Sequence, residues 1–225
     1  MLIGEVDCSF IAVFHFTYFY FMKTALITGV TSGFGRAFAL RLAKLDYKLI
    51  ITGRRAERLH ELACTLREEF SVQVCPLCFD VRDNEACRQA IASIPEEFRE
   101  IDVLVNNAGL AAGASPFDES EMDDFEQMID TNVKGLLYVT KLVVPGMIER
   151  TSGHIVNISS IAGIEVYPNG SVYCASKHAV NAITKGLRMD LVKYGIKVSS
   201  ISPGMVETEF SIIRYHGDEE KAKAV

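Results

Sequence analysis

The chain has 225 residues, 49% of them apolar and 23% charged, with 23 basic against 29 acidic side chains for a net charge of −6. That composition suits one globular domain with a full core. It argues against a nucleic-acid partner, since phosphate binding needs clustered Lys and Arg and no basic run occurs.

The chain opens on "MLIGEVDC", an acidic flank, followed by the aromatic, nearly uncharged residues 9–22, "SFIAVFHFTYFYFM". That run is shorter than the ~20 apolar residues of a spanning helix. Its flank also lacks the positive charge of a signal peptide. Residues 1–21 are read as an N-terminal extension outside the fold, with Met22 as the natural start and no membrane anchor. Residues 22–225 are read as a single catalytic domain. The six cysteines, Cys8, Cys64, Cys75, Cys78, Cys87 and Cys174, lack framework spacing and read as reduced thiols of a cytoplasmic protein.

From Lys23 short apolar runs alternate with amphipathic stretches. In chain order the pattern predicts a strand over 25–28, a helix over 34–45, a strand over 49–52 and a helix over 56–69. A strand over 72–79, a helix over 84–94 and a strand over 103–106 follow, then a loop rich in Ala and Gly. Next come one long helix over 125–148 with Pro145 near its end, a strand over 154–159, a helix over 171–194 and a strand over 198–202. Continuous apolar strands are those of a buried parallel sheet. Alternating βα order implies right-handed crossovers. The fold class is therefore α/β: a Rossmann-type doubly wound parallel sheet in three α/β/α layers. After the last predicted strand only the charged, helix-like "GDEEKAKAV" follows, which would leave that strand as a bare edge.

"TGVTSGFG" (residues 28–35) joins the first strand to the first helix, the context a dinucleotide site requires. Gly29 allows the tight turn, Gly33 a close approach of backbone to the pyrophosphate, and Gly35 the packing of helix on sheet. The helix start offers N–H groups and partial positive charge to phosphates. An NAD site normally ends its second strand on an acidic residue; here the end reads "ITGRRAER", with Arg54 and Arg55 and no carboxylate before Glu57. Guanidinium forks fit a phosphate bidentately, so the cofactor is read as NADP(H).

"GSVYCASKHA" places Tyr173 and Lys177 at i, i+4 on one helix face. Each has an ordinary pKa near ~10. An ammonium beside a phenol favours the phenolate, so Lys177 is expected to lower the pKa of Tyr173 into a useful range. Ser160 falls at the C-terminal end of a predicted strand, where open α/β sheets put their ligands. Its hydroxyl can hold a substrate oxygen while Tyr173 exchanges the proton.

With "NNAG" (106–109), "NISS" (157–160), "YCASK" (173–177) and "SPG" (202–204) added to the glycine turn, the sequence resembles the short-chain dehydrogenase/reductase family. "TGRRAERL", "NNAGLAAG", "MIDTNVKGLLYVT" and "EFSIIRYHGDEEKA" are similar to its NADP-dependent 3-hydroxy acid (serine or L-allo-threonine) dehydrogenases. The resemblance implies oxidation of the 3-hydroxyl of small hydroxy acids, or reduction of the matching semialdehydes and 3-oxo acids. It also implies assembly as a homotetramer. It places Gly29, Thr31, Ser32, Gly33, Phe34 and Gly35 on the pyrophosphate, Arg54 and Arg55 on the 2′-phosphate, and Asp80 and Val81 on the adenine. Asn107, Ala108 and Gly109 would contact the cofactor, Asn107 also steadying the sheet. Pro203, Gly204, Val206 and Thr208 would close over the nicotinamide. Ser160, Tyr173 and Lys177 would form the catalytic core, with Asn132 as fourth member holding a water between its helix and Lys177. The family continues past Val225 with a helix and a last strand, so the domain is read as C-terminally truncated.

Two rival readings are a 3-oxoacyl, steroid or sugar ketone reductase of the same mechanism, and a truncated, non-catalytic NADP-binding chain. No metal is expected. "CPLC" (75–78) has no second pair and alternation turns its thiols to opposite faces, while His15, His60, His154, His178 and His216 show no ligand spacing. The acidic "ESEMDDFEQ" reads as a solvated first helical turn.

Overall fold

The computed structural model describes residues 22–206 and 208–220; the reading of residues 1–21 lies outside them. Among the described residues six strands form one sheet: β1 (Thr24–Ile27), β2 (Lys48–Gly53), β3 (Val74–Cys78), β4 (Ile101–Asn106), β5 (Gly153–Ile158) and β6 (Ile196–Ile201). Their order is β3-β2-β1-β4-β5-β6 and every pair is parallel. Seven α-helices accompany them among the described residues: α1 (Gly33–Ala43), α2 (Ala56–Phe70), α3 (Asn84–Ala92), α4 (Met122–Ile129), α5 (Leu136–Glu149), α6 (Ser171–Leu191) and α7 (Glu209–Arg214). The winding reverses between β1 and β4, and there the carboxyl ends of the strands leave a crevice.

Alternation along the strands sorts the core onto two faces. Leu26, Ile50, Leu104 and Ile155 pack against Val139, Val143 and Met147 of α5. Ala25, Ile27, Leu49 and Ile51 pack against Ala39 and Ala43 of α1 and Leu59, Leu62 and Leu66 of α2. This is the three-layer α/β/α arrangement expected from the alternating pattern. β6 is the outermost strand on its side among the described residues. β3 is shorter than predicted, and its Pro76 is tolerated because β3 is the other edge among the described residues, where no further strand of theirs needs the missing N–H.

The long helix predicted over 125–148 is not one α-helix. α4 and α5 are joined through a π-helical turn over Asp130–Gly135. The period of the sequence runs straight through, so nothing local marks the extra residue; π-turns of this kind gather at functional positions, and this one carries Asn132.

Candidate active site

A cleft of about 1300 Å³ runs along the carboxyl edge of the sheet. Every residue singled out from the sequence for cofactor or substrate lines it, except Gly35 and Asn132, which stand behind its wall.

The glycine turn comes first. Gly29 takes φ +69°, and a Cβ there would lie 2.9 Å from Ala108 Cα. A Cβ on Gly35 would run into the Gly29 carbonyl and sit 2.5 Å from Asn107 Nδ2. Gly35 thus serves the closure of the turn on itself as much as the expected packing of helix on sheet. Asn107 locks the same turn by donating to Thr28 O at 2.8 Å and Gly29 O at 2.9 Å, which joins β1 to β4. Gly35→Ala is expected to cost about 1–3 kcal/mol by overpacking and to weaken NADPH binding more than tenfold, roughly that same energy expressed as affinity. Thermal unfolding and a fluorescence titration check both effects.

At the far end of the cleft Arg54 and Arg55 leave β2 as foreseen, but both are already engaged. Arg54 meets Asp80 at 3.4 Å. Arg55 gives Nε and Nη2 to Thr31 Oγ1 at 3.0 and 2.9 Å and Nη1 to Glu209 at 2.9 Å. Burial alone would raise the Asp80 carboxyl; the hydrogen bonds of Arg82, together with the Arg54 and Arg82 charges, outweigh it and hold the group below its ordinary range. Val81, next to Asp80, would meet a Cβ on Gly135 at 2.7 Å, which ties this end of the cleft to the π-turn.

α6 carries Tyr173 and Lys177, both buried. The Lys177 ammonium donates to Ile158 O at 2.9 Å and lies 5.9 Å from the centre of the Tyr173 ring. Ser160, just after β5, accepts from Ala162 N at 3.1 Å, which fixes the start of a 3-10 turn. Burial pushes the Tyr173 phenol up to about 12, against the pull of Ser160. Burial likewise pushes Lys177 down to about 8. Burial therefore sets the direction of the Tyr173 shift in the cofactor-free chain, opposite to the lowering expected from the Tyr–Lys spacing. The Lys177 ammonium is itself buried and bonded to the Ile158 carbonyl.

Asn132 is buried in the π-turn. Its Oδ1 accepts from Leu110 N at 2.8 Å, and its Nδ2 donates to Leu110 O at 2.8 Å and Ser176 Oγ at 3.0 Å. It therefore ties the loop after β4 to α6. A Cβ on Gly109 would sit 3.1 Å from Asn132 Oδ1 and 3.4 Å from Lys177 Nζ, so both side chains border one small gap. Behind them runs a buried polar chain the sequence reading did not single out. Asn106 donates to Thr140 Oγ1 and Asn157 Oδ1, and Asn157 donates to Thr184 Oγ1, so α5, β4, β5 and α6 are cross-linked under the site.

The C-terminal segment covers the other side. Thr208 caps α7 through its hydroxyl, and its methyl would touch a Cβ on Gly33 at 3.7 Å. Pro203 O receives Ile161 N at 3.0 Å, while Gly204 and Val206 line the cleft between them. Phe210 of α7 rests on the Tyr173 ring, with centroids 5.8 Å apart. Two residues the sequence reading missed complete this wall. Arg214 bonds the Tyr167 hydroxyl at 3.3 Å and the Gly113 carbonyl at 3.3 Å, and its charge favours the ionised form of Tyr173. Asp124 was expected in a solvated first turn; it is buried instead and pairs with His216 at 3.1 Å, which ties α4 to the segment after α7.

A parallel sheet with a glycine turn at its switch point, and a phenol, an ammonium and a hydroxyl meeting in one cleft, define a dinucleotide-dependent oxidoreductase that acts on CH–OH groups. The short chain dehydrogenase family matches residues 23–217, and the chain belongs to that family. It is 48% identical over 198 residues to the NADP-dependent 3-hydroxy acid dehydrogenase YdfG of Salmonella typhimurium, a match covering 88% of this chain and 78% of that one. It is 48% identical over 201 residues to sulfoacetaldehyde reductase 2 of Chromohalobacter salexigens, covering 89% and 79%. Among solved structures it resembles the closed form of serine dehydrogenase complexed with NADP+, at 45% identity and a TM-score of 0.85 over 89% of this chain and 80% of that one.

Proposed function

We propose that the chain oxidises the 3-hydroxyl of small hydroxy acids with NADP+, or reduces the matching semialdehydes and 3-oxo acids with NADPH. The observation that carries the substrate class is Arg214, a cation facing the same cleft as Tyr173. Its guanidinium gives a substrate carboxylate a charged, directional partner, and Tyr167 braces it. The names of the relatives point the same way, toward NADP and small anionic substrates.

When bound, NADP+ would supply the hydride acceptor for the carbinol carbon, and the chain's own side chains would bind, orient and move the proton. The helix start at Gly33 and the backbone N–H groups around Thr31, Ser32 and Phe34 would hold the pyrophosphate. Arg54 and Arg55 hold the 2′-phosphate. Ser160 positions the substrate oxygen and Tyr173 exchanges its proton. Burial keeps the phenol protonated, with a pKa of about 12, which suits it as the acid of the reduction. In the oxidation it serves as base, aided by the positive charges of Lys177 and of the nicotinamide ring. Asn132 positions α6 through Ser176 and holds the loop at Leu110.

The test is an NADPH-absorbance assay with serine, L-allo-threonine and 3-hydroxypropionate beside neutral alcohols of the same length. Turnover of the neutral alcohols alone would overturn the reading. The sulfoacetaldehyde reductase relative favours one neighbouring reading, in which the same guanidinium holds a sulfonate; adding 2-hydroxyethanesulfonate to the panel separates the two. Arg214→Met is expected to raise KM for the acids about 10- to 100-fold, the range of a charged hydrogen bond, and to change kcat only a few-fold. An unchanged KM would remove Arg214 from the substrate site.

A further inference from the structure

The second strand ends on arginines, yet a carboxylate does arrive there, from 154 positions further along the chain. Glu209 accepts from Arg55 Nη1 at 2.9 Å, and Arg58 Nη1 lies 2.8 Å from each of its oxygens. Arg55 at the same time grips Thr31 of the glycine turn. One guanidinium thus links the dinucleotide turn to the first residue of α7. The hydrogen bond from Arg55 is the chief cause that holds the Glu209 carboxyl below its ordinary range, so the group is an anion at neutral pH.

We propose that Glu209 is the internal counter-anion of the 2′-phosphate site, which a 2′-phosphorylated nucleotide must displace from Arg55 and Arg58. The inference rests on the assignment of Arg54 and Arg55 to the 2′-phosphate. A carboxylate and a phosphate cannot share one guanidinium at hydrogen-bond distance without strong like-charge repulsion. The resident pair is weak enough to yield, because side-chain exposures of 37%, 41% and 47% for Arg55, Glu209 and Arg58 leave it screened by water. The incoming phosphate carries more charge and more acceptor oxygens than the carboxylate it replaces. Since Glu209 opens α7, the exchange also frees the start of the helix that lays Phe210 on Tyr173. Recognition of the phosphate is thereby coupled to the cover over the acid/base residue.

Calorimetric titration of the full chain with 2′,5′-ADP and with 5′-AMP tests this without turnover. In Glu209→Gln, 2′,5′-ADP should bind about three- to tenfold tighter than in the wild type, the scale of an exposed charged contact, and 5′-AMP should bind as before. Glu209→Ala must move in the same direction, which rules out a new bond from the glutamine amide. Unchanged or weaker binding of 2′,5′-ADP in both variants overturns the proposal, and so does equal tightening of 5′-AMP. A wild type that does not prefer 2′,5′-ADP over 5′-AMP overturns the arginine assignment itself, and this proposal with it.

Discussion

Tyr173→Phe should lower kcat by about 10²- to 10⁴-fold, the usual contribution of a positioned general acid or base, while NADPH binding stays within a few-fold of the wild type. The substitution removes one oxygen from a ring that is otherwise held by packing. Phe210 lies against it at 5.8 Å and the backbone of α6 is unaffected. Loss of the hydroxyl also removes a buried polar group whose ionisation burial already opposes, so the fold should not suffer. Stopped-flow hydride transfer with a 3-oxo acid and an NADPH fluorescence titration separate the two effects. Undiminished turnover would mean that the proton moves through another group, with Ser160, which hydrogen-bonds the phenol, the first candidate. Because the phenol is pushed up to about 12, reduction should fail only at high pH, whereas oxidation should rise with pH as the phenolate becomes accessible. A reduction rate that falls with rising pH already near neutrality would contradict the burial argument.

What the amino-acid order discloses of this protein follows from how local each feature is. The strands are unbroken apolar runs such as 49–52 and 103–106, and the glycine turn sits where a strand meets a helix, so the sheet, its layers and the cleft at its carboxyl edge could all be read from the sequence. The i, i+4 spacing of Tyr173 and Lys177 is equally local. The π-turn at Asn132 was not legible, because the widened turn shows itself through bonds to Leu110 and Ser176 that no helical period encodes. Arg214, Glu209 and Asp124 escaped for a related reason. Each gains its meaning from a partner about a hundred positions or more away, at Gly113, Arg55 and His216 for example, or close to it. Their own neighbours in sequence give only the pattern of an ordinary charged helix. The pKa of Tyr173 illustrates the same limit in energetic form. A Tyr–Lys pair read along a helix suggests a lowered phenol; burial, a sum over the whole fold, decides the opposite direction.

Lys177→Met offers the sharpest measure of that burial. Turnover should fall by about 10²-fold or more, since in the proposed mechanism the Lys177 charge supports the phenolate. Stability should change in a way that depends on pH. Burial lowers Lys177 to about 8 in the folded chain from 10.5 in the open chain. Between those values the unfolded state binds more protons than the folded state, so wild-type stability rises with pH from about 8 toward 10.5 and is least below 8. The full span corresponds to on the order of 3 kcal/mol. Tyr173, raised from 10.0 to about 12, acts oppositely but only above pH 10, where its contribution is lost as pH rises. The clean window is therefore pH 8 to 10. Buried Cys87, raised to about 11, titrates in both chains and drops out of the comparison. Met fills a similar volume without a charge, at the expense of leaving the Ile158 carbonyl without its donor. Denaturant unfolding of the cofactor-free protein should show wild-type stability climbing across this window relative to Lys177→Met, and the gap between the two chains changing by a kilocalorie or more. Parallel curves would mean that Lys177 enters the fold with its proton and keeps it, as it would if the cleft admitted enough water to solvate the ammonium.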